Sequence, residues 1–135
     1  MTAETTSPDG PQWLRLLSTA AVGRLVYTVD ALPAVMPVRY RVTSEGGVLL
    51  RADADSEIVR AVADAVVAFE VGELSEADGS GWSVTLLGRA DVTPDAGQEH
   101  PVRPSAEAVA GRVTIRIRPE LVTARSLPGS PPAEV

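Results

Sequence analysis

The 135-residue chain contains no cysteine, no lysine and one histidine, His100. Without cysteine there is no thiolate nucleophile, disulfide or cysteine-held metal or iron–sulfur site, although the absence tells nothing of the redox compartment. Without lysine there is no Schiff base. No histidine or carboxylate pair stands at helical ligand spacing around His100, so a metal site is not expected. A Ser-His-Asp triad would need a nucleophile, and the chain has no G-x-S-x-G elbow; His100 reads as a surface loop residue. The phosphate-binding patterns G-x-x-x-x-G-K-[ST] and G-x-G-x-x-G are also missing. Residues Met1 to Gly10 show neither a basic n-region nor an apolar h-region, and no run approaches the roughly 18 apolar residues of a membrane span. A soluble, cytoplasmic protein with no membrane partner is expected.

The formal net charge is -6, which argues against nucleic acid as a partner, because a duplex binder needs a concentrated basic footprint. The charge is unevenly placed. Asp64, Glu70, Glu73, Glu76, Asp78, Asp91, Asp95 and Glu99 face only Arg89 between residues 61 and 100, and the remainder is close to balanced. A small anion can therefore find a local arginine site in an acidic molecule. The length fits one domain with one core.

Residues 1–10 and 127–135, rich in Thr, Ser, Pro and Gly, read as mobile tails around a domain of residues 11–126. Pro11 suits a first helical turn, and Trp13, Leu14 and Leu17 then share one face up to Ser18 or Ala20. Trp13 is read as a packing residue. From Gly23 to Val29 the pattern turns to a strand; Asp30 gives a turn, and Pro33 to Val42 reads as a second strand closed by Ser44-Glu45-Gly46-Gly47. Val48 to Arg51 is a third. Asp53 to Ser56 offers N-caps for a helix carrying Ile58, Val59, Val62, Ala63 and Val66. Val66 to Val71 reads as a strand, Gly72 to Gly81 as an acidic loop, and Trp82 to Val92 as a long strand with a bulge at Gly88. Residues 94–110 fit no single element. In the last strand Val113, Ile115 and Ile117 alternate with Arg112, Thr114, Arg116 and Arg118, giving one buried and one polar face. Six to seven strands with two or three short helices describe a mainly β, barrel-like fold.

Five segments occur in this order: Val22-Gly23-Arg24-Leu25, Met36-Pro37-Val38-Arg39-Tyr40, Val48-Leu49-Leu50-Arg51, Ala68-Phe69-Glu70-Val71 and Gly81-Trp82-Ser83-Val84, the last followed by Gly88-Arg89-Ala90. Together they resemble the pyridoxamine 5'-phosphate oxidase-like family over residues 12–126, in particular its small single-domain members with a Gly-Trp-Ser-Val strand. The resemblance implies an antiparallel split β-barrel, a homodimer, and flavin mononucleotide (FMN), or in some members a deazaflavin, held between the subunits. It implies a small flavin-dependent oxidoreductase whose substrate is a small molecule the sequence leaves unknown.

Residue by residue, Val38, Arg39 and Tyr40 match the strand along the flavin ring. Arg51 and Ala52 match the strand end that meets the phosphate, Ser56 starts the matching helix, and Trp82 and Ser83 match a strand that approaches the ring, from the same subunit or its partner. A helix start, a hydroxyl and an arginine fork complement a phosphate dianion. The chain departs from the family where Arg-Thr is common, reading Arg51-Ala52, and where a lysine is common, reading Ser56-Glu57. A carboxylate in place of an ammonium weakens phosphate binding, and Arg60, one turn on, is the candidate substitute. The closing run Val122-Thr123-Ala124-Arg125-Ser126 lacks one family arginine, and the substrate-contacting arginine motif of a specific pyridoxamine phosphate oxidase is not recognisable. Three readings stand: an FMN enzyme, a deazaflavin-dependent reductase or binder, favoured where arginines rather than the phosphate corner dominate the groove, and a cofactor-free dimeric binding or regulatory protein. Trp82 reads equally as a core or interface aromatic, and Arg24, Arg39 and Arg51 as solvated or ion-paired.

Overall fold

The computed structural model describes residues 4–6, 10–20, 22–94 and 111–129; His100 and the ambiguous stretch beyond Pro94 lie outside the described residues. The described residues form two helices and eight strands: β1 (Glu4–Thr6), α1 (Gly10–Thr19), β2 (Val22–Val29), β3 (Leu32–Arg39), β4 (Arg41–Val42), β5 (Val48–Asp53), α2 (Glu57–Val62), β6 (Val66–Leu74), β7 (Gly81–Pro94) and β8 (Arg112–Leu127). All pairings are antiparallel and run β3-β2-β6-β7-β8-β5-β4, with β1 added against β8. The mainly β, split-barrel expectation holds. Glu4–Thr6, inside the segment read as an N-terminal tail, pairs with Ala124–Ser126, and β8 continues to Leu127.

The stretch read as one strand from Pro33 to Val42 is two. β3 and β4 lie at opposite ends of the strand order, yet only Tyr40 separates them. Seven flat strands at about 4.8 Å spacing would hold those edges roughly 29 Å apart, whereas two residues of chain span about 7 Å. The sheet must therefore curl until one end of β3 meets β4. Tyr40 turns inward at this corner. Its ring meets the Phe69 ring edge-on at 4.8 Å between centroids, and its hydroxyl donates to the Leu17 carbonyl. That bond completes the end of α1, where Ser18 Oγ donates to Leu14 O and Thr19 Oγ1 to Leu16 O, so hydroxyls serve the Leu16 and Leu17 carbonyls of the last turn, where intrahelical partners run out.

The core is the inside of the curl. Leu25, Val48, Val62, Phe69, Val71, Val84, Leu86, Ala90, Ile115 and Ile117 are fully buried there, with Leu17 of α1 closing one side. The alternation expected for Val113, Ile115 and Ile117 is present: this set faces inward and Arg112 and Arg118 face out. α2 stops at Val62, short of the expected Val66, because Asp64 takes a positive φ of 58° and the chain turns into β6. Trp13 packs over the β4–β5 turn, where Gly46 has φ +91° and an added Cβ would lie 2.6 Å from Trp13 Cη2. The anticipated bulge is at Leu87/Gly88, where the pairing shifts so that Leu87 faces Leu121 and Gly88 faces Pro119, leaving Glu120 as the extra residue. A side chain on Gly88 would collide with the Arg118 carbonyl oxygen.

Candidate functional site

Strand alternation decides which charges gather at the barrel corner. On β5, Val48 and Leu50 point inward, leaving Leu49, Arg51 and Asp53 outside. Arg41 pairs with Leu49, Arg51 with Thr114, and Asp53 with Arg112, which puts these arginines on one outer face. Arg39, ending β3, joins them because Tyr40 is the inward residue of the corner. The result is an open groove of about 670 Å³ lined by Val38, Arg39, Tyr40, Arg41, Leu49, Arg51 and Arg112. Its volume is within the roughly 300–1,000 Å³ typical of small-molecule sites. No carboxylate lines it among the described residues, although Asp53 stands opposite Arg112 in register, and Arg51 and Arg112 have bonded partners of their own.

Of the residues anticipated from sequence, Val38, Arg39, Tyr40 and Arg51 come together here. Ala52, Ser56, Arg60, Trp82 and Ser83 do not line the groove. Ala52 packs against the core. Ser56 stands at the N-cap of α2 but bonds no amide there; its Oγ donates to Asp53 O at 2.7 Å. Arg60 Nη1 donates to Asp55 O at 2.6 Å, so its guanidinium folds back onto the acidic loop. With only six residues, α2 offers little dipole for an anion. Asp64, just beyond α2, faces Arg89 rather than Arg60, with Nη1 to Oδ1 at 3.8 Å. Arg24 is paired with Glu70 at 3.4 Å.

Trp82 is packed partly against the core. Ser83 faces Gly72 of β6, three strands from Arg39, which is roughly 14 Å at the usual strand spacing. Tyr40 contributes a wall rather than a free phenol. Burial raises its pKa above the ordinary value, so the hydroxyl stays protonated and bound to Leu17 O.

Arg41, Leu49 and Arg112 were missed as site residues. The polar face of β8 was legible, but its adjacency to β5, and the placement of Arg41 on the far edge of the sheet, follow from pairings between segments distant in sequence. Neither a group of three potential metal ligands nor a helix long and apolar enough to cross a membrane exists among the described residues.

The sequence model of the family described as pyridoxamine 5'-phosphate oxidase matches residues 9–126. The chain belongs to this family. A relative described as an uncharacterized protein of Mycobacterium tuberculosis is 35% identical over 124 residues, covering 85% of this chain and 80% of the relative. Among solved structures, the FAD binding protein from Mycobacterium smegmatis superposes with a TM-score of 0.70 at 24% identity, covering 94% of this chain and all (100%) of that one. A conserved protein of unknown function from Corynebacterium diphtheriae superposes with a TM-score of 0.65 at 26% identity, over 92% of this chain and 98% of its own. This pyridoxamine 5'-phosphate oxidase family member thus shares its fold with both proteins over more than nine-tenths of its length.

Proposed function

We propose that this protein is a homodimeric, flavin-dependent oxidoreductase that holds its flavin in the groove between the β3–β4 corner and β5. The observation that carries the reading is the gathering of Arg39, Arg41, Arg51 and Arg112 around a ligand-sized groove in a chain of net charge -6. Similar folds include FAD-binding proteins from Mycobacterium smegmatis and Mesorhizobium loti. The residues fit such a group. Val38 and Leu49 offer apolar surface for a flat ring, and the guanidinium groups offer charge-assisted donors for its phosphate. A flavin supplies hydride chemistry, leaving the protein to bind and orient. Among the described residues the groove holds no histidine or carboxylate, and the Tyr40 phenol is engaged, so none of the described lining side chains serves as an acid or base. FMN through the Arg51, Ala52, Ser56 and Arg60 corner loses support, because Ser56 and Arg60 bond to the loop that precedes α2. A deazaflavin is the second reading, favoured by the dominance of arginines in the groove.

The dimer rests on an apolar stripe. Val35, Val26, Ala68, Leu87 and Leu121 lie in one row across the outer face of β3, β2, β6, β7 and β8. Val35 is 61% and Leu121 55% exposed, and Leu32, on β3, which pairs on one side only among the described strands, is 68% exposed. Such a continuous stripe beside an open edge calls for a cover, and a second copy offers the same stripe in return. Trp82 and Ser83 then contribute to a flavin only from the partner subunit. Titration of the purified protein with FMN, FAD and a deazaflavin, followed by flavin fluorescence and analytical ultracentrifugation, tests both claims. Stoichiometric binding by a dimer is expected. A monomer, or a protein that takes up none of the three, refutes the proposal.

A further inference from the structure

The polar face of β8 runs past the groove to a second, smaller cavity. It has a volume of about 230 Å³ and is lined by Glu45, Gly47, Arg116, Arg118 and Pro119, none of which lines the groove. Leu49 faces Arg116 across the β5–β8 pairing and lines the groove, so a single leucine stands between the two. Arg118 and Arg89, opposite one another in register, are each held by a carboxylate, Asp91 at 2.9 Å and Asp64 at 3.8 Å. Arg116 is held less completely. Its Nε is buried with no hydrogen-bond partner among the described residues, and its Nη2 donates to Glu45 Oε2 at 3.3 Å. Nε–H and Nη2–H project side by side from one edge of the guanidinium, a fork for two oxygens. Glu45 fills half of that fork from a side chain that is 78% exposed, and its bond is longer than the roughly 2.7–2.9 Å of a good charge-assisted one.

The turn that carries Glu45 is fixed in its backbone. Thr43 N donates to Gly47 O at 2.8 Å, Gly46 N to Thr43 O at 3.0 Å, and Gly47 N to Thr43 Oγ1 at 2.8 Å. Gly47 has no positive φ, so the backbone does not call for glycine there. A Cβ on it would lie 3.5 Å from Arg116 Nε and 3.1 Å from Thr43 Oγ1. The missing side chain leaves room beside the unengaged donor. We infer that this cavity is an anion site separate from the groove. Arg116 takes one small oxyanion there, a carboxylate or a phosphate, on its Nε–Nη2 edge, and Glu45 is a stand-in that swings out to admit it. An unsatisfied buried donor favours the exchange, and an exposed ion pair opposes it only weakly. The volume lies below the roughly 300–1,000 Å³ of sites for larger molecules, so the ligand is a small acid or an inorganic ion. The site does not depend on what the groove holds.

The test is titration of the full-length, isotope-labelled protein with sodium acetate and, separately, with sodium phosphate, each against sodium chloride at matched ionic strength. Nuclear magnetic resonance follows the Arg116 Nε–H and the Gly47 amide. Saturable shifts of both, with a dissociation constant on the order of 1 mM, are expected from at least one oxyanion and not from chloride. Saturation by acetate alone assigns a carboxylate ligand, and by phosphate alone a phosphoryl group. If Glu45 fills the fork for roughly four-fifths of the time, Glu45→Gln tightens apparent binding about five-fold, a gain that misfolding cannot mimic. Arg116→Gln should abolish saturation at Gly47. Arg15→Gln, exposed on α1 outside the cavity, should leave it unchanged. Linear shifts equal to those in chloride, saturation that survives Arg116→Gln, or binding no tighter in Glu45→Gln than in wild type overturns the inference.

Discussion

Replacing Tyr40 by Phe separates the two roles that its position allows, wall of the groove and lock of the barrel corner. The substitution keeps the ring and its edge-on contact with Phe69, at 4.8 Å and 70°, and deletes only the hydroxyl that donates to Leu17 O. Leu17 is fully buried, and its carbonyl belongs to the last turn of α1, where intrahelical partners run out. An intramolecular hydrogen bond contributes about 0.5–1.5 kcal/mol net, and a buried carbonyl left unpaired costs about 1–3 kcal/mol. Tyr40 is only partly buried and water can reach its surroundings, so the loss should be about 1–2 kcal/mol, or roughly 4–8 °C in melting temperature for a domain of this size. Thermal and urea unfolding of wild type and variant measure it. The alkaline limb gives an independent readout. Burial raises the folded-state pKa of Tyr40 above the unfolded value of 10.0, so its stabilising contribution is complete below about pH 10 and is lost as pH rises through the higher folded value. Tyr40→Phe should flatten that part of the pH–stability profile while leaving flavin affinity within two-fold of wild type. Unchanged stability, or lost flavin affinity with stability intact, would refute the assignment of the hydroxyl to α1.

Two further substitutions test the backbone. Asp30 and Ala31, with φ of 50° and 65°, form the two-residue turn between β2 and β3, a conformation in which a Cβ costs about 1–2 kcal/mol. Ala31→Gly should therefore stabilise by about 0.5–1 kcal/mol after the greater freedom of glycine in the unfolded chain is deducted; a lowered urea midpoint would count against the turn. Gly88→Ala should destabilise by about 3 kcal/mol or more, because the added methyl meets the backbone carbonyl of Arg118, which cannot rotate away as a side chain would. A native-like urea midpoint would show that β8 does not approach β7 as closely as described.

Local chemistry made the elements legible and left the site half assembled. The 3.6-residue rhythm of Trp13, Leu14 and Leu17 and the strict alternation from Arg112 to Arg118 each depend on one buried face, and both are found as expected. The break at Tyr40 was not legible, because Pro33 to Val42 is uniformly strand-like and the switch of partner from β2 to β5 is made by long-range pairing. Arg39 and Arg51 could be named from their motifs. Arg41 and Arg112 could not, since they reach the groove only through registers that no short segment encodes. Ser56 shows the opposite failure: its position before α2 marked a cap, but tertiary context turned its hydroxyl to Asp53 O.

The position of β8 in the sheet has a consequence for how the chain acquires its structure. Among the described strands it is made last, yet it borders β7, β5 and β1, and of those strands β4 and β5 have only each other as sheet neighbours until it arrives. On the ribosome, the β2–β3 hairpin and the β6–β7 pair can form early from contacts already synthesised. The arginine-lined groove cannot, because Arg112 lies on β8 itself. A nascent chain stalled before residue 112 would present β5 as an open edge, available to any other unpaired strand. Ligand competence and protection from misassembly should thus be gained in the same late event, and a chaperone that shields β5 would govern the yield of both.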